Sequence, residues 1–187
     1  NGVLFGKLAG PKDISVGEPV AERREYLTSQ FGVNTDADNL KTAQQADLVV
    51  FAVKPQDLGP VMGQLKGKLG TDQAALSIVA GAKMETLTKG LGHTSIVRVM
   101  PNTPAQIGAG MTLWTCSDGV DESRREMTKS VLGSIGQEIY VDDEKYMDMA
   151  TALSASGPAY VFLFIESLID AGVYVGMPRD MARTMAL

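Results

Sequence analysis

Three short apolar runs, Asp47-Leu-Val-Val-Phe-Ala-Val53, Ala74-Ala-Leu-Ser-Ile-Val-Ala80 and Ser95-Ile-Val-Arg-Val-Met100, recur along the chain, each separated from the next by a helical pattern. Runs this apolar lack the polar alternation of a strand with one wet face, so they belong in a sheet covered on both sides. Strands joined through helices run parallel, and the chain reads as an open α/β sheet with Asp47–Val53 as a central, doubly buried strand. Pro55 ends the first run and opens a helix to about Leu65; another helix follows from about Met84 to Leu91. Upstream, Lys12–Val16 reads as a short strand and Glu18–Leu27 as a helix with Pro19 near its first turn. Downstream, Met111–Cys116 reads as a strand, Asp121 to about Ile135 as a helix and Glu138–Val141 as a last strand.

Beyond Asp142 the strand signal stops. Lys145–Leu153, Pro158–Val175 and Arg179–Leu187 all read as helix, with the small residues Ser154-Ala-Ser-Gly-Pro158 as the break between the first two. The expected organisation is an open α/β sheet domain over residues 1–142 followed by a helical domain over residues 143–187. Forty-odd residues of apolar helix are too few to bury their own surface, which points to a covering subunit. Asn1–Gly10 reads as the back half of a helix closed by Gly10, and Pro178–Leu187 as a helix without a terminal cap. Both ends are expected to be truncated.

The 187 residues carry 17 Lys and Arg against 22 Asp and Glu, a formal charge of −5 that disfavours a nucleic-acid binder. The single cysteine, Cys116, has no intramolecular partner and there is no secretory-type leader pattern, so a cytoplasmic setting is expected. Glu166 and Asp170 interrupt the apolar stretch Ala159–Gly176, so no membrane span is expected there. His93 has no cysteine or carboxylate at ligand spacing, and no metal site is expected. The run Asp142-Asp-Glu144 reads as a solvated helix start, Cys116 as structural, and the ten methionines as core filler.

Chemistry in an open α/β sheet collects at the carboxyl ends of the strands. Ala52-Val-Lys-Pro-Gln56 lies at such an end, where Lys54 and Gln56 face a cofactor phosphate or ribose, or where Pro55 merely starts a helix beside a solvated Lys54. Ala80-Gly81 permits close approach of a ring or ribose to the backbone. In Val97-Arg-Val-Met-Pro-Asn-Thr-Pro104 two prolines stiffen an extended loop that presents Asn102 and Thr103, either as a pocket wall or as a rigid connection, with a cis proline as one option. Glu18, after the first short strand, stands where a dinucleotide fold reads the adenosine ribose. An acid there favours a free 2′-hydroxyl, whereas Arg23 or Arg24 would favour a 2′-phosphate, and a plain helix-start charge is the simpler account.

Ala52–Gln56, Val97–Pro104 with Gly108-Ala-Gly-Met-Thr112, and above all Thr151-Ala-Leu-Ser-Ala-Ser-Gly-Pro-Ala-Tyr-Val-Phe-Leu-Phe-Ile-Glu166 closely resemble pyrroline-5-carboxylate reductase, as do Asp170-Ala-Gly-Val173 and Gly176-Met-Pro-Arg179. The resemblance covers essentially the whole chain in order and implies a Rossmann-like NAD(P)-binding domain over residues 1–142 and a helical dimerisation and substrate domain over residues 143–187. It implies hydride transfer from NADPH, with NADH as the possible alternative, to the C=N bond of 1-pyrroline-5-carboxylate, giving L-proline. It further implies cofactor contacts at Glu18, Asn39, Ala52, Val53, Lys54, Pro55, Ile78, Val79, Ala80 and Asn102. Thr103, Ser154, Ser156, Gly157 and Pro158 would lie near the substrate, and the chain would assemble as a homodimer or a larger ring of dimers. Three departures accompany it: no Gly-rich phosphate turn before Asn1, no Gly-Gly-Thr-Thr type substrate loop or catalytic threonine before Leu187, and Ala155 in place of glycine. Residues 1–187 alone are therefore expected to be inactive, their catalytic residues lying elsewhere. The competing readings are a β-hydroxyacid dehydrogenase, which would need a lysine that Pro158–Val175 lacks, and a catalytically silent nucleotide-binding or oligomerisation module.

Overall fold

The computed structural model describes residues 2–187; Asn1 lies outside the described residues. The chain opens with helix α1 (Gly2–Phe5), a 3-10 turn at Pro11–Asp13 and strand β1 (Ser15–Gly17). Helix α2 (Ala21–Phe31), strand β2 (Asn34–Asp36) and helix α3 (Asn39–Ala43) follow. Next come β3 (Leu48–Phe51), α4 (Pro55–Leu65), β4 (Ala74–Ser77), α5 (Met84–Leu91), β5 (Ile96–Met100), β6 (Gly110–Cys116), α6 (Glu122–Gly133) and β7 (Gly136–Tyr140). Three helical pieces finish the chain: α7 (Lys145–Ala150), α8 (Gly157–Tyr174) and α9 (Arg179–Ala186).

The sheet is in two parts: β1 and β2 pair in parallel, and a five-stranded sheet runs β3-β4-β5-β6-β7. Within the larger sheet β3, β4 and β5 are parallel, β6 is antiparallel to β5, and β7 is parallel to β6. Its two faces bury separate cores. Phe51, Leu58, Leu65, Ala75, Leu87, Leu91 and Ile96 fill the side covered by α4 and α5. Leu76, Val97, Val99, Trp114 and Leu132 fill the side covered by α6. Alternation of Ile96 and Val97 between these clusters is the pleat of a strand buried on both faces.

Several expected elements move. Gly10 does not close the first helix: the chain leaves it at Lys7, whose φ is +53°, and Gly10 is extended and begins the 3-10 turn. Its amide donates to the Asp13 carboxylate at 2.8 Å. That turn displaces the first strand from Lys12–Val16 to Ser15–Gly17, and the helix after it starts at Ala21 rather than Glu18. Asp47–Val53 is not central. Leu48–Phe51 forms the edge of the five-stranded sheet, with no further strand paired to it among the described residues, and Val50 is 49 % exposed. The doubly buried strands are β4 and β5, every residue of which is buried. Segment Thr103–Ile107 is a 3-10 helix rather than extended, and no cis peptide occurs among the described residues. Ser154–Pro158 does not break the helix either: a π-turn over Thr151–Ala155 joins α7 to α8.

One close approach fixes the junction of β6 and β7. Gly110 pairs with Gly136, and a Cβ at Gly136 would fall 2.1 Å from the Gly110 carbonyl oxygen; Gly136 also holds φ at +143°, where side chains are strained. Gly136→Ala is expected to lower unfolding free energy by about 2–4 kcal/mol. Urea denaturation measures it, and a loss under about 0.5 kcal/mol would contradict the packing described.

Candidate cofactor and substrate site

The parallel register Phe51↔Ser77 and Ser77↔Arg98 brings the carboxyl ends of β3, β4 and β5 to one edge. The segments leaving that edge are Ala52–Pro55, Ile78–Ala80 and Pro101–Asn102. Lys54 is the residue before α4, with φ −68° and ψ 152°, and Pro55 occupies the first turn, where its missing N–H costs nothing. The Lys54 side chain is exposed and forms no ion pair among the described residues. Ala52 and Ala80 are exposed, Val53 and Ile78 half-buried. Val79 is 3 % exposed and packs into the core with Ala82 and Leu87, so its main chain, not its side chain, faces outward. Gly81 holds φ at +76°, and a Cβ there would meet open space. Small residues and main chain therefore line this edge, which fits the extended body of a dinucleotide.

Glu18 and Asn39 form a second cluster around β1. The Glu18 amide donates to the Asp36 carbonyl at 3.0 Å, and its carboxylate accepts from the Val20 amide at 2.9 Å. Arg24 Nη1 donates to the carbonyls of Glu18 and Pro19 at 2.7 and 2.8 Å. Arg23 instead lies over the Tyr26 ring, 4.9 Å from its centroid. Of the two arginines, Arg24 is thus the one held at the turn after β1. The Asp36 carboxyl is kept below its ordinary range, first by the Asp38 amide and also by Lys41. Asn39 sits over Gly17, where a Cβ would fall 2.3 Å from Asn39 Oδ1. Its amide donates to Gln64 Oε1 at 2.8 Å, in the last turn of α4. At 1.5 Å per residue Gln64 lies about 13 Å along the helix from Pro55. The structure groups Lys54, Val79 and Asn102 on one edge, and Glu18 with Asn39 in a separate cluster.

Asn102 joins that edge to the helical segment. Its Oδ1 accepts from the Met111 amide at 2.9 Å, while Nδ2 donates to the Ser154 carbonyl and hydroxyl at 3.4 and 3.3 Å. Thr103, next to it, is exposed. The π-turn is held by hydroxyls: Thr151 Oγ1 donates to the Met147 carbonyl at 2.8 Å, and Ser156 Oγ to the Thr151 carbonyl at 2.9 Å. Such turns within α-helices accompany functional sites more often than chance. Ala155 keeps a negative φ, so its methyl introduces no backbone strain. A Cβ at Gly157 would meet nothing within 4 Å, and Pro158 takes the first turn of α8.

In the acidic run before α7, Asp142 and Asp143 are exposed at the helix start as expected, with Asp143 accepting from the Lys145 amide at 2.9 Å, but Glu144 is not solvated freely. Arg98, 2 % exposed on β5, donates to Glu144 Oε1 at 2.7 Å and to Asp148 Oδ1 at 2.9 Å. Glu144 Oε1 also accepts from the Met84 amide at 2.7 Å, capping α5. A lone charge in the strand Ile-Val-Arg-Val-Met, with two acids four residues apart downstream, was the available sign of this clamp. His93 is buried, 2.9 Å from the Gln73 carbonyl. No metal-ligand cluster occurs among the described residues. Met62, Met100 and Met147 are core residues, whereas Met149, Met181 and Met185 are 54–70 % exposed on the helical segment, against the expectation of core filler.

Residues 144–187 match the family model for pyrroline-5-carboxylate reductase dimerisation, and residues 4–81 match that for NADP oxidoreductase, coenzyme F420-dependent. The pyrroline-5-carboxylate reductase of Synechocystis is 40 % identical over 186 residues, covering 99 % of this chain and 68 % of that protein. The chain belongs to the pyrroline-5-carboxylate reductase family. The Coxiella burnetii member superposes with a TM-score of 0.88 at 32 % identity, covering 99 % of this chain and 69 % of the other. The Plasmodium falciparum enzyme, solved with NADP bound, gives 0.87 at 32 % identity over 99 % and 68 % of the two chains. This chain thus spans about two-thirds of the length of such relatives.

The dimerisation match covers the most exposed apolar part of the protein. Tyr160, Val161, Phe162, Leu163 and Phe164 of α8 are 55–69 % exposed, and Ile169 is its only buried residue among those described. Lys145–Tyr174 is long and apolar enough to cross a membrane by length and composition. Its far end is tied down by charge instead: Arg179 pairs with Glu166 at 2.5 Å and Asp170 at 2.8 Å, while Gly172 lets Ala182 of α9 pack closely.

Proposed function

We propose that this chain holds NAD(P)H along the carboxyl edge of β3, β4 and β5 and holds the substrate beside the π-turn. The complete protein is a pyrroline-5-carboxylate reductase. When bound, the reduced nicotinamide supplies a hydride to the C=N carbon of 1-pyrroline-5-carboxylate, which with a proton on nitrogen becomes L-proline. The carrying observation is Asn102, which leaves the strand-end edge and binds Ser154 in the π-turn. Ala52, Val53, Pro55, Ile78, Val79 and Ala80 offer main chain and small surface to the dinucleotide, and Lys54 an unpaired positive charge to its phosphates. Asn102 and Thr103 border the reacting end. Ser154, Ser156, Gly157 and Pro158 shape the substrate side. What these residues contribute is position, since both reactants are held in one geometry.

The division into a nucleotide-binding unit over residues 1–142 and a dimerisation unit over residues 143–187 belongs to the same reading, as do a homodimer and a cytoplasmic setting. Assay of the complete protein with the imine and with a hydroxyacid decides it: turnover of the imine is expected, and turnover of the hydroxyacid alone would replace it with the dehydrogenase reading.

Cofactor choice turns on Glu18 and Arg24. Glu18 accepts from a free ribose hydroxyl and repels a 2′-phosphate, while Arg24, held on two carbonyls, supplies the phosphate with a positive partner. Glu18→Ser is expected to raise the NADPH/NADH ratio of kcat/KM about tenfold and Arg24→Ala to lower it about as much. An unchanged ratio in both variants means that neither side chain reads the ribose.

A further inference from the structure

Arg98 is the one fully buried charge on the central strand, and all it grips lies at the start of the helical segment. Its guanidinium reaches Glu144 and Asp148, which are four residues apart and so share a face of the helix start. Glu144 in turn caps α5 at Met84. Four residues after Arg98, the same strand exit presents Asn102 to Ser154. One strand therefore holds one helix at two points, Glu144–Asp148 before the π-turn and Ser154 within it. Without Arg98 the helix start would keep the Asn102–Ser154 link, the Glu144 bond to the Met84 amide and the buried Met147 side chain, but would lose its charged anchor to β5.

We propose that Arg98 is a positioning residue for hydride transfer: it fixes the angle of α7 and the π-turn against β5, and hence the substrate segment against the cofactor edge. The proposal rests on the reductase reading above. It gains support from solvation. The Glu144 and Asp148 side chains are 35 % and 67 % exposed, so neither needs Arg98 to be tolerated, and the buried Arg98 Nε has no hydrogen-bond partner. A buried charge with an unsatisfied N–H is a costly way to stabilise a fold, and an apolar side chain of similar length would serve packing as well. What the apolar side chain does not supply is the two-pronged hold on two carboxylates.

The test uses the complete protein carrying Arg98→Met, with Arg98→Lys as the conservative variant and Asp148→Asn as a surface variant that leaves the core untouched. In Arg98→Met, NADPH stoichiometry and Kd by fluorescence titration are expected to stay within about twofold of the parent, while kcat falls about a hundredfold. The primary isotope effect with 4-deuterated NADPH should rise as hydride transfer becomes limiting, and Arg98→Lys should recover part of kcat. Hydrogen exchange should quicken across residues 145–156 but not in α8. A parental kcat overturns the proposal, and so does a kcat that falls only in step with cofactor stoichiometry at an unchanged isotope effect. Should Arg98→Met not fold, Asp148→Asn decides by the same isotope and exchange readouts, a slower hydride step supporting and unchanged values refuting. If the parent does not reduce the imine, the reductase reading fails separately, and the exchange pattern alone still judges the Arg98 hold.

Discussion

Leu163→Glu with Phe164→Glu converts the assembled protein to single chains. Tyr160, Leu163 and Phe164 lie three and four positions apart, on one side of α8, and are 63 %, 69 % and 65 % exposed. An apolar helix side of this size is stable only when covered. Within the family match for dimerisation over residues 144–187, the cover we infer is a second copy of this chain. Burial of Leu and Phe is worth roughly 1.5–3 kcal/mol each per protomer. A symmetric pair of subunits loses both on each side and must also desolvate four carboxylates, so association weakens by at least about 10⁴-fold. Sedimentation equilibrium is expected to show two or more chains for the parent and one for the variant at micromolar concentration. A variant that keeps the parental mass would place the contact elsewhere on the molecule. Lipid is the competing cover, since Lys145–Tyr174 passes a length and composition test for spanning. It is the poorer one because Glu166 and Asp170 sit within that helix, ion-paired to Arg179 at a solvent-exposed position.

The elements readable in the sequence are those whose burial is encoded by their own composition. Strands β4 and β5 and helix α5 stand within a residue or a few of their expected bounds because short, mostly apolar runs and apolar residues three and four apart encode burial directly. Asn34–Asp36 and Asn39–Ala43 escaped notice because polar residues at half-exposed positions carry no periodic signal. Edge strand β3 misled in the opposite direction: its composition is that of a covered strand, yet Val50 is open to solvent. Ser154-Ala-Ser-Gly-Pro158 has the residues of a helix break. Thr151 and Ser156 hydroxyls instead bond to carbonyls of the same helix, and Pro158 falls in the first turn of α8, where proline is tolerated. At the candidate site, the shared edge of the strand ends and the Asn102 segment was legible because parallel strands joined through helices bring their carboxyl ends together. The Arg98 clamp was not, since Glu144 and Asp148 look like any solvated helix start until a distant strand brings an arginine to them.

Asn102→Asp and Asn102→Ala are expected to separate two roles of one side chain. The Oδ1 atom accepts from the Met111 amide at 2.9 Å, a contact that holds the start of β6 against the loop. Aspartate keeps that acceptor, so its stability should stay near the parental value, whereas alanine leaves the amide unpaired and costs about 1–2 kcal/mol. The Nδ2 atom donates to Ser154, and both variants lose it; in the aspartate the contact becomes a carboxylate facing a carbonyl oxygen. On the proposed placement of cofactor and substrate, the Asn102 donor sets the distance between the two reactants. Loss of that distance control costs about a hundredfold in kcat/KM for the imine, by analogy with other displacements of about 1 Å. Thermal unfolding and steady-state kinetics together give the answer. The expected pattern is Asn102→Asp stable but slow, and Asn102→Ala both less stable and slow. An Asn102→Asp protein within twofold of parental kcat/KM would show that the link to Ser154 does not set the geometry of hydride transfer.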